Sequence, residues 1–252
     1  MRLTDQDLQV LTNFSEIQKN FIFRKGNIAT TVTGLKNIFA YYKMETEVPK
    51  EFAIYDLREF LNLYDLFDKP KLTISDDKVI FKDNRFTSEY STTGMDWIFA
   101  PKDINNKLFN WNEFDYRFHL TANDIKDYYS CRRHANKLPD LTIENNEGYF
   151  SLKLHNTKSK TDPKLSFILN SSDRNKTNQQ FNFDMKCENF NKILIADYDA
   201  EICGLGLIKL SNVNIPLTYW IALEPKPTPD TKESEIPLSF IKKSEIKKNA
   251  KN

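Results

Sequence analysis

The chain repeats itself. "RLTDQDLQVL" begins at Arg2 and "HLTANDIKDY" at His119, and both read Leu-Thr-x-x-Asp-(Leu/Ile). "LTISDDKVIFKDN" (72–84) lies over "AEICGLGLIKLSN" (200–212) without a gap, so that Ile74 meets Ile202, Val79 meets Leu207 and Asn84 meets Asn212. "DWIFAPK" (96–102) matches "YWIALEPK" (219–226) with one inserted residue, and "FAIYDLREF" (52–60) pairs loosely with "FNFDMKCENF" (181–190). Each echo is weak alone. Their shared order, at separations of about 117 to 130 residues, reads as two copies of one unit joined near 101–118. A chain of 252 residues has room for two units of modest size.

Each copy opens on a helix signal. Thr4 caps a helix with Asp7 at its third position, a capping box, and Leu8, Leu11 and Phe14 supply an apolar stripe. Thr121 with Asp124 does the same in the second copy, and Pro139 is predicted to stop that helix. Asp56 and Glu59 start another helix before Phe60, Leu61, Tyr64 and Phe67, ended by Asp68-Lys69-Pro70, and a short fourth helix is predicted near 187–194. "KLTISDDKVIFKD" holds two alternating runs about an Asp-Asp turn, and "EGYFSLKLHN", "KLSFILNSS", "QQFNFDM" and "PLTYWIALE" also read as strands. The order helix, strands, helix, strands predicts antiparallel α+β units and not parallel βαβ crossovers. The division follows as 1–105, a connector at 106–118, 119–225, and a tail at 226–252 rich in Pro, Lys and Glu that is expected to be flexible. The connector carries Leu108, Phe109, Trp111 and Phe114 and is expected to pack down on the units.

Formal net charge is +1, so contact with nucleic acid has to come from local patterning. That pattern stands at "CRRHANKL". On a helix over 121–138, Tyr128, Cys131, Ala135 and Leu138 share one side, bordered by Ile125. Lys126, Ser130, Arg133 and Lys137 share the other, with Arg132 and Asn136 on one flank and His134 on the opposite one. Such spacing suits a phosphate backbone. A solvated helix with cations near its C-terminal end carries equal weight on this helix alone. Lys186 and Lys192 around the fourth helix favour the phosphate-facing surface. The first helix is different: its outer face shows Asp5, Gln6, Gln9, Thr12, Asn13 and Glu16, with Arg2, Lys19, Arg24, Lys25 and Lys36 only nearby. Arg58 on the 56–67 helix stands with Glu59 and Asp65.

No catalytic or metal constellation stands out, and no cofactor is implied. His119, His134 and His155 have no ligand grouping, and Cys131 and His134 point to different faces of one helix. Asp197, Asp199 and Glu201 in "DYDAE" are spaced to hold a divalent metal, as nuclease acids do, but read better as a turn leading into a strand. With 6 Gly, no phosphate-loop or dinucleotide motif appears. Three cysteines without close spacing and the absence of a secretory leader predict reduced thiols, and no stretch approaches the ~20 apolar residues of a membrane span.

A duplicated α+β unit with a cationic helix face resembles a DNA sliding clamp. More closely, "LTDQDLQVLTNFSEI" (3–17), "FAIYDLREFLNLYDLF" (52–67), "LTISDD" (72–77), "ADYDAEI" (196–202) and "YWIALE" (219–224) resemble the clamps of T-even-like tailed bacteriophages, their polymerase processivity factors. The resemblance spans about residues 1–225 and rests on the order of these segments. It implies a DNA-clamp fold in which two similar domains, each with two helices packed on antiparallel sheet, assemble head-to-tail as a homotrimer into a closed ring around duplex DNA. Lys126, Arg132, Arg133, Lys137, Lys186 and Lys192 would then face DNA. Leu108, Phe109, Trp111, Trp220 and Leu223 would form the pocket for the phage DNA polymerase. An ATP-driven clamp loader, and late transcription factors with host RNA polymerase, would be further partners in the cytoplasm of the infected host, with no membrane involved. In the tail, Ile236, Leu238, Phe240 and Ile241 form an apolar knot similar to a short clamp-binding peptide, which implies docking in a partner pocket of its own or a neighbouring chain. The alternative is a clamp-fold scaffold or transcription coactivator that recruits partners with little direct DNA binding. Sparse cations on the first helix fit that alternative as well as they fit uneven DNA contact.

Overall fold

The computed structural model describes residues 1–101, 114–146, 148–170, 180–203 and 206–224. The capping boxes form in both copies. Thr4 Oγ1 accepts the Asp7 N–H and Asp7 Oδ2 accepts the Thr4 N–H, opening α1 (Asp5–Ile17). Thr121 and Asp124 open α3 (Ala122–His134) in the same way. Around them the first copy contains β1 (Phe21–Phe23), β2 (Gly26–Val32), β3 (Ile38–Val48), β4 (Phe52–Ile54), α2 (Leu57–Asp65), β5 (Lys71–Ile74), β6 (Lys78–Lys82) and β7 (Thr87–Ser91), followed by a 3₁₀ turn at Met95–Trp97. The second begins with β8 (Tyr116–Leu120) before α3. After α3 come β9 (Asp140–Asn146), β10 (Tyr149–His155), β11 (Leu165–Ile168), β12 (Phe181–Lys186), α4 (Cys187–Phe190), β13 (Tyr198–Cys203), β14 (Leu207–Asn212) and β15 (Leu217–Ala222).

Every strand pairing among the described residues is antiparallel. β5-β6-β7 form a three-stranded sheet, β11-β10-β9-β12 a four-stranded one, and β1 pairs β4. The six-stranded sheet β2-β3-β15-β14-β13-β8 joins the two copies through β15 and β3, with Trp220 opposite Phe39 and Tyr219 opposite Ala40. The helices' apolar stripes and the strands' inward residues meet in one core, with Val10, Leu11 and Phe14 of α1, Phe60 and Tyr64 of α2, Ile125 and Tyr128 of α3, and Phe190 of α4. Burying each such side chain stabilises the fold by roughly 1.5–3 kcal/mol before chain entropy is counted.

The repeat is structural in most of the places where the sequence echoes. β5–β6 and β13–β14 are both hairpins, and β4–α2 corresponds to β12–α4. The third echo is not structural. "YWIA" lies in β15, whereas "DWIF" falls on the 3₁₀ turn and the extended chain after it. Trp220 is 1% exposed and Trp97 is 84% exposed. The strand that follows β5–β6, as β15 follows β13–β14, is β7, whose "TSEYS" gives no apolar signal.

The basic helix is shorter than its periodicity implies. It ends at His134; Ala135 caps it, and Asn136 and Lys137 form a turn that drops Leu138 into the core before β9 begins at Asp140. A helix reaching Pro139 would leave no residues to reverse direction into that strand. Tyr116–Phe118 belong to β8, so the last part of the segment read as connector is already strand.

Candidate functional site: the helix surface and the junction of the two copies

α3 presents its cations unevenly. Lys126 and Arg133 are exposed on the helix, and Lys137 is exposed on the turn after it. Arg132 is half-buried, and its Nη1 donates to the Ala135 carbonyl at 2.7 Å, closing the helix's own C-terminal end. Tyr129 fixes α3 against the α4 segment by donating to the Asn191 and Ile193 carbonyls at 2.8 and 3.0 Å, and burial pushes its hydroxyl pKa up to about 12. Lys192, half-buried, lies on an open pocket of about 380 Å³ between α1, α4 and the β2–β3 turn. Lys186 is committed elsewhere. Its Nζ donates to Asp140 Oδ1 at 2.6 Å, and that carboxylate also accepts the Thr157 N–H and hydroxyl at 2.8 and 2.7 Å. The Asp140 bond raises the Lys186 pKa. For Asp140 itself burial works upward, but the bonds from Lys186 and Thr157 prevail and hold it below the ordinary carboxylate value.

On the first copy, cations near the helices are engaged by acids. Arg58 pairs with Glu16 and reaches Ser15 Oγ, and Lys19 pairs with Asp56 at 3.1 Å. Asp5, Gln9, Thr12 and Glu16 lie on the outer side of α1, where Asp5 and Glu16 are largely exposed. Gln6 and Asn13 turn inward instead of outward. Gln6 donates to the Tyr42 hydroxyl, and Asn13 donates to the Lys192 carbonyl at 2.9 Å and accepts from the Tyr219 hydroxyl at 2.6 Å. Asn37 to Asn189, 2.8 Å, is a second tie between the copies. Asn13, Asn37 and Asn189 were not legible as fasteners, because their partners lie 152 to 206 residues away in sequence.

The junction on the other side of the six-stranded sheet is apolar. Trp220 packs with Val32, Phe39, Cys203 and Leu207, and Phe114 and Tyr41 lie against this cluster. Lys209 Nζ stands 5.2 Å from the Phe114 ring centre. Leu223 is buried in the main core. Trp220 and Leu223 are therefore interior walls of the junction, not open surface. Leu108, Phe109 and Trp111 lie outside the described residues, as do Ile236, Leu238, Phe240 and Ile241.

The acids of "DYDAE" have protein partners. Asp197 accepts the Ala122 N–H at the start of α3, Asp199 lies 3.2 Å from His119 Nδ1, and Glu201 pairs with Arg117 and Lys209. Among the described residues no group of His, Cys, Asp and Glu is arranged to hold a metal, and no helix is long and apolar enough to cross a membrane. Cys131, Cys187 and Cys203 are free thiols.

Two α+β copies, each with two helices and antiparallel strands, match the plan of the DNA-clamp fold. The chain superposes on a PCNA2–PCNA3 complex chain from Sulfolobus tokodaii with a TM-score of 0.64 at 13% identity, covering 88% of this chain and 98% of that one. Residues 6–92 match the family described as DNA polymerase processivity factor. In sequence the chain is similar to the sliding clamps of two phages. It is 27% identical over 229 residues to the sliding clamp of Vibrio phage KVP40, covering 89% of this chain and 99% of that protein. It is 23% identical over 236 residues to the sliding clamp of Escherichia phage RB69, covering 91% and 100%.

Proposed function

We propose that this protein works as a homotrimeric ring around duplex DNA and tethers the phage replicative polymerase to its template. Two open sheet edges carry the reading. Inside the chain, β15 ends the β13–β14 run by pairing with β3. β7 holds the same place after β5–β6, yet among the described residues it has no further neighbour, and neither does β11 beyond β10. Open edges are templates for pairing with another chain. Joining β7 of one copy to β11 of the next repeats between chains the kind of junction already made within the chain. Such a head-to-tail contact closes into a ring when its rotation allows. Exposed Leu165 and Ile168 on β11, and Phe86 beside β7, supply apolar area for it.

In this ring the duplex passes along the helices. Lys126, Arg133 and Lys137 face the phosphates, Arg132 and Lys192 stand beside them, and sequence is not read. Lys186 supports the surface through Asp140. The polymerase docks at the apolar side of the junction, over half-buried Tyr41 and Phe114 with Trp220 behind them, and Leu108, Phe109, Trp111 and Leu223 remain proposed partner-binding residues. An ATP-driven loader opens the ring, and late transcription factors with host RNA polymerase use the same junction, in the cytoplasm of the infected cell. A second reading, a scaffold with little direct DNA contact, is favoured by one observation: Glu16 occupies Arg58, and α1 presents Asp5 and Glu16.

Light scattering across a dilution series, followed by retention on circular and linearised plasmid, separates these readings. A trimer that stays on circles and leaves linear ends is the expected result. A trimer retained on neither supports the scaffold, and a persistent monomer overturns the ring.

A further inference from the structure

The loop between β10 and β11 carries cations that the fold does not use. It is the second copy's counterpart of the β2–β3 turn, since both join the second and third strands after a capping-box helix. The first-copy turn, 33–37, holds one lysine, Lys36. The second-copy loop, 156–164, is longer and holds Lys158, Lys160 and Lys164, all exposed. Among the described residues none of these three pairs with an acid, whereas neighbouring Lys153 and Lys186 pair with Glu144 and Asp140. Asp162, the acid of the loop, accepts from Asn156 Nδ2 at 2.8 Å instead. The loop backbone is nonetheless fixed. Asn156 Oδ1 accepts the Lys158 N–H at 3.0 Å, Ser159 Oγ accepts the Asp162 N–H at 3.2 Å, and Thr157 donates its N–H and hydroxyl to Asp140. Pro163 restricts the chain just before β11.

Asp140 ties this loop to the basic end of α3. It follows Lys137 by three residues, at most about 11 Å of chain, and its Cα partners across the sheet are His155 and Lys186. Lys186 already neutralises Asp140, at 2.6 Å, and Arg132 already serves the negative end of the helix through the Ala135 carbonyl, at 2.7 Å. Lys158, Lys160 and Lys164 are left over from both local tasks. We infer that residues 156–164 form a second phosphate-binding element, in which these three lysines hold the backbone of duplex DNA beyond the end of α3 where Arg133 and Lys137 stand. Uncompensated cations on a fixed backbone bind a polyanion by releasing its counterions and read no sequence. A duplex, stiff and charged at every ~1.7 Å of its axis, can meet helix and loop together. Resting on the proposed DNA path, this assignment adds a loop to it and makes the contact one-sided: α1 presents Asp5 and Glu16, and the first-copy turn has a single lysine.

The test uses full-length protein and a fluorescein-labelled duplex, with anisotropy read from about 50 to 200 mM salt. One variant carries Lys158→Ala, Lys160→Ala and Lys164→Ala. A second carries Lys126→Ala, Arg133→Ala and Lys137→Ala on α3 and its turn. A third, Lys43→Ala with Lys71→Ala and Lys82→Ala, removes the same charge from exposed positions of the first copy. The loop variant is expected to bind at least ~10-fold more weakly at low salt, with a slope shallower by roughly 0.9 for each phosphate released and an unchanged unfolding midpoint. The first-copy variant should bind as wild type does. Unchanged affinity and slope in the loop variant, beside a weakened α3 variant, would overturn the inference and leave the DNA path standing. Equal losses in the loop and first-copy variants would reduce the effect to net charge and overturn it. Loop-dependent binding of a polyglutamate peptide as tight as that of the duplex would make the loop a contact for acidic protein, and so overturn it too. Wild type that binds no duplex overturns both the inference and the DNA path. Loop-dependent binding by a monomer supports the inference and counts against the ring.

Discussion

Asp7, in the first turn of α1, accepts the backbone N–H of Thr46 on β3 at 3.1 Å. The same carboxylate takes the Glu45 N–H at 3.0 Å and the Tyr42 hydroxyl at 3.0 Å, besides closing its capping box. Its counterpart Asp124 reaches the Asn170 N–H at 2.6 Å, just after β11. Both carboxylates are 0% exposed. In each copy one acid caps a helix and fixes the sheet beneath it, so the helix is held at a set position on the strands.

Asp7→Ala should therefore cost more than loss of the cap. Thr4→Ala removes a cap and should cost about 1 kcal/mol. Asp7→Ala leaves buried donors of Tyr42 and Thr46 unpaired, each worth about 1–3 kcal/mol, and should destabilise by about 3 kcal/mol or more. Urea unfolding of the two variants decides this; equal costs would mean that the strand bonds contribute nothing.

Stability should fall on the acid side. Burial pushes the Asp7 pKa up, but the bonds from Thr46, Glu45, Thr4 and Tyr42 outweigh it, so the folded value lies below the ordinary one, as for Asp140. Groups depressed in this way contribute fully above their unfolded pKa of about 3.9 and lose that contribution as pH drops through the folded value. Lys186, raised by Asp140, contributes fully below its unfolded pKa of about 10.4 and loses it as pH rises through the folded value. Urea midpoints from about pH 2 to 7 should decline at the low end, with a shallower decline in Asp140→Asn.

The cations of the second copy should separate by role. Lys126→Ala, Arg133→Ala and Lys137→Ala should weaken DNA retention and make its salt dependence shallower by roughly 0.9 for each phosphate no longer neutralised, with little change in stability. Lys186→Ala should do the reverse: a destabilisation of roughly 1–3 kcal/mol from leaving Asp140 short of a donor, and an unchanged salt slope. A salt titration beside a melt reads both.

Ile168→Glu tests the ring edge. The side chain is 60% exposed, so the protomer should fold unchanged, while a charge at the β11 edge should reduce native mass from trimer to monomer. An intact trimer would remove β11 from the interface.

Sequence and tertiary structure decided different things here. Local chemistry was written in the chain: Thr4 with Asp7 and Thr121 with Asp124 are capping boxes from spacing alone, and alternation about Asp76-Asp77 is a hairpin. The duplicated α+β plan followed from the order of such signals, because helix stripes and strand alternation are set by neighbours a few residues apart. What the folded chain decided rests on partners distant in sequence. Lys186 looks like Lys126 on paper, yet Asp140, 46 residues away, claims it. Trp97 and Trp220 sit in matching words, yet one is exposed on a turn and the other is buried opposite Phe39. Whether a strand ends as an open edge, like β7, or is paired, like β15, depends on what the rest of the fold brings beside it, and no local pattern carries that.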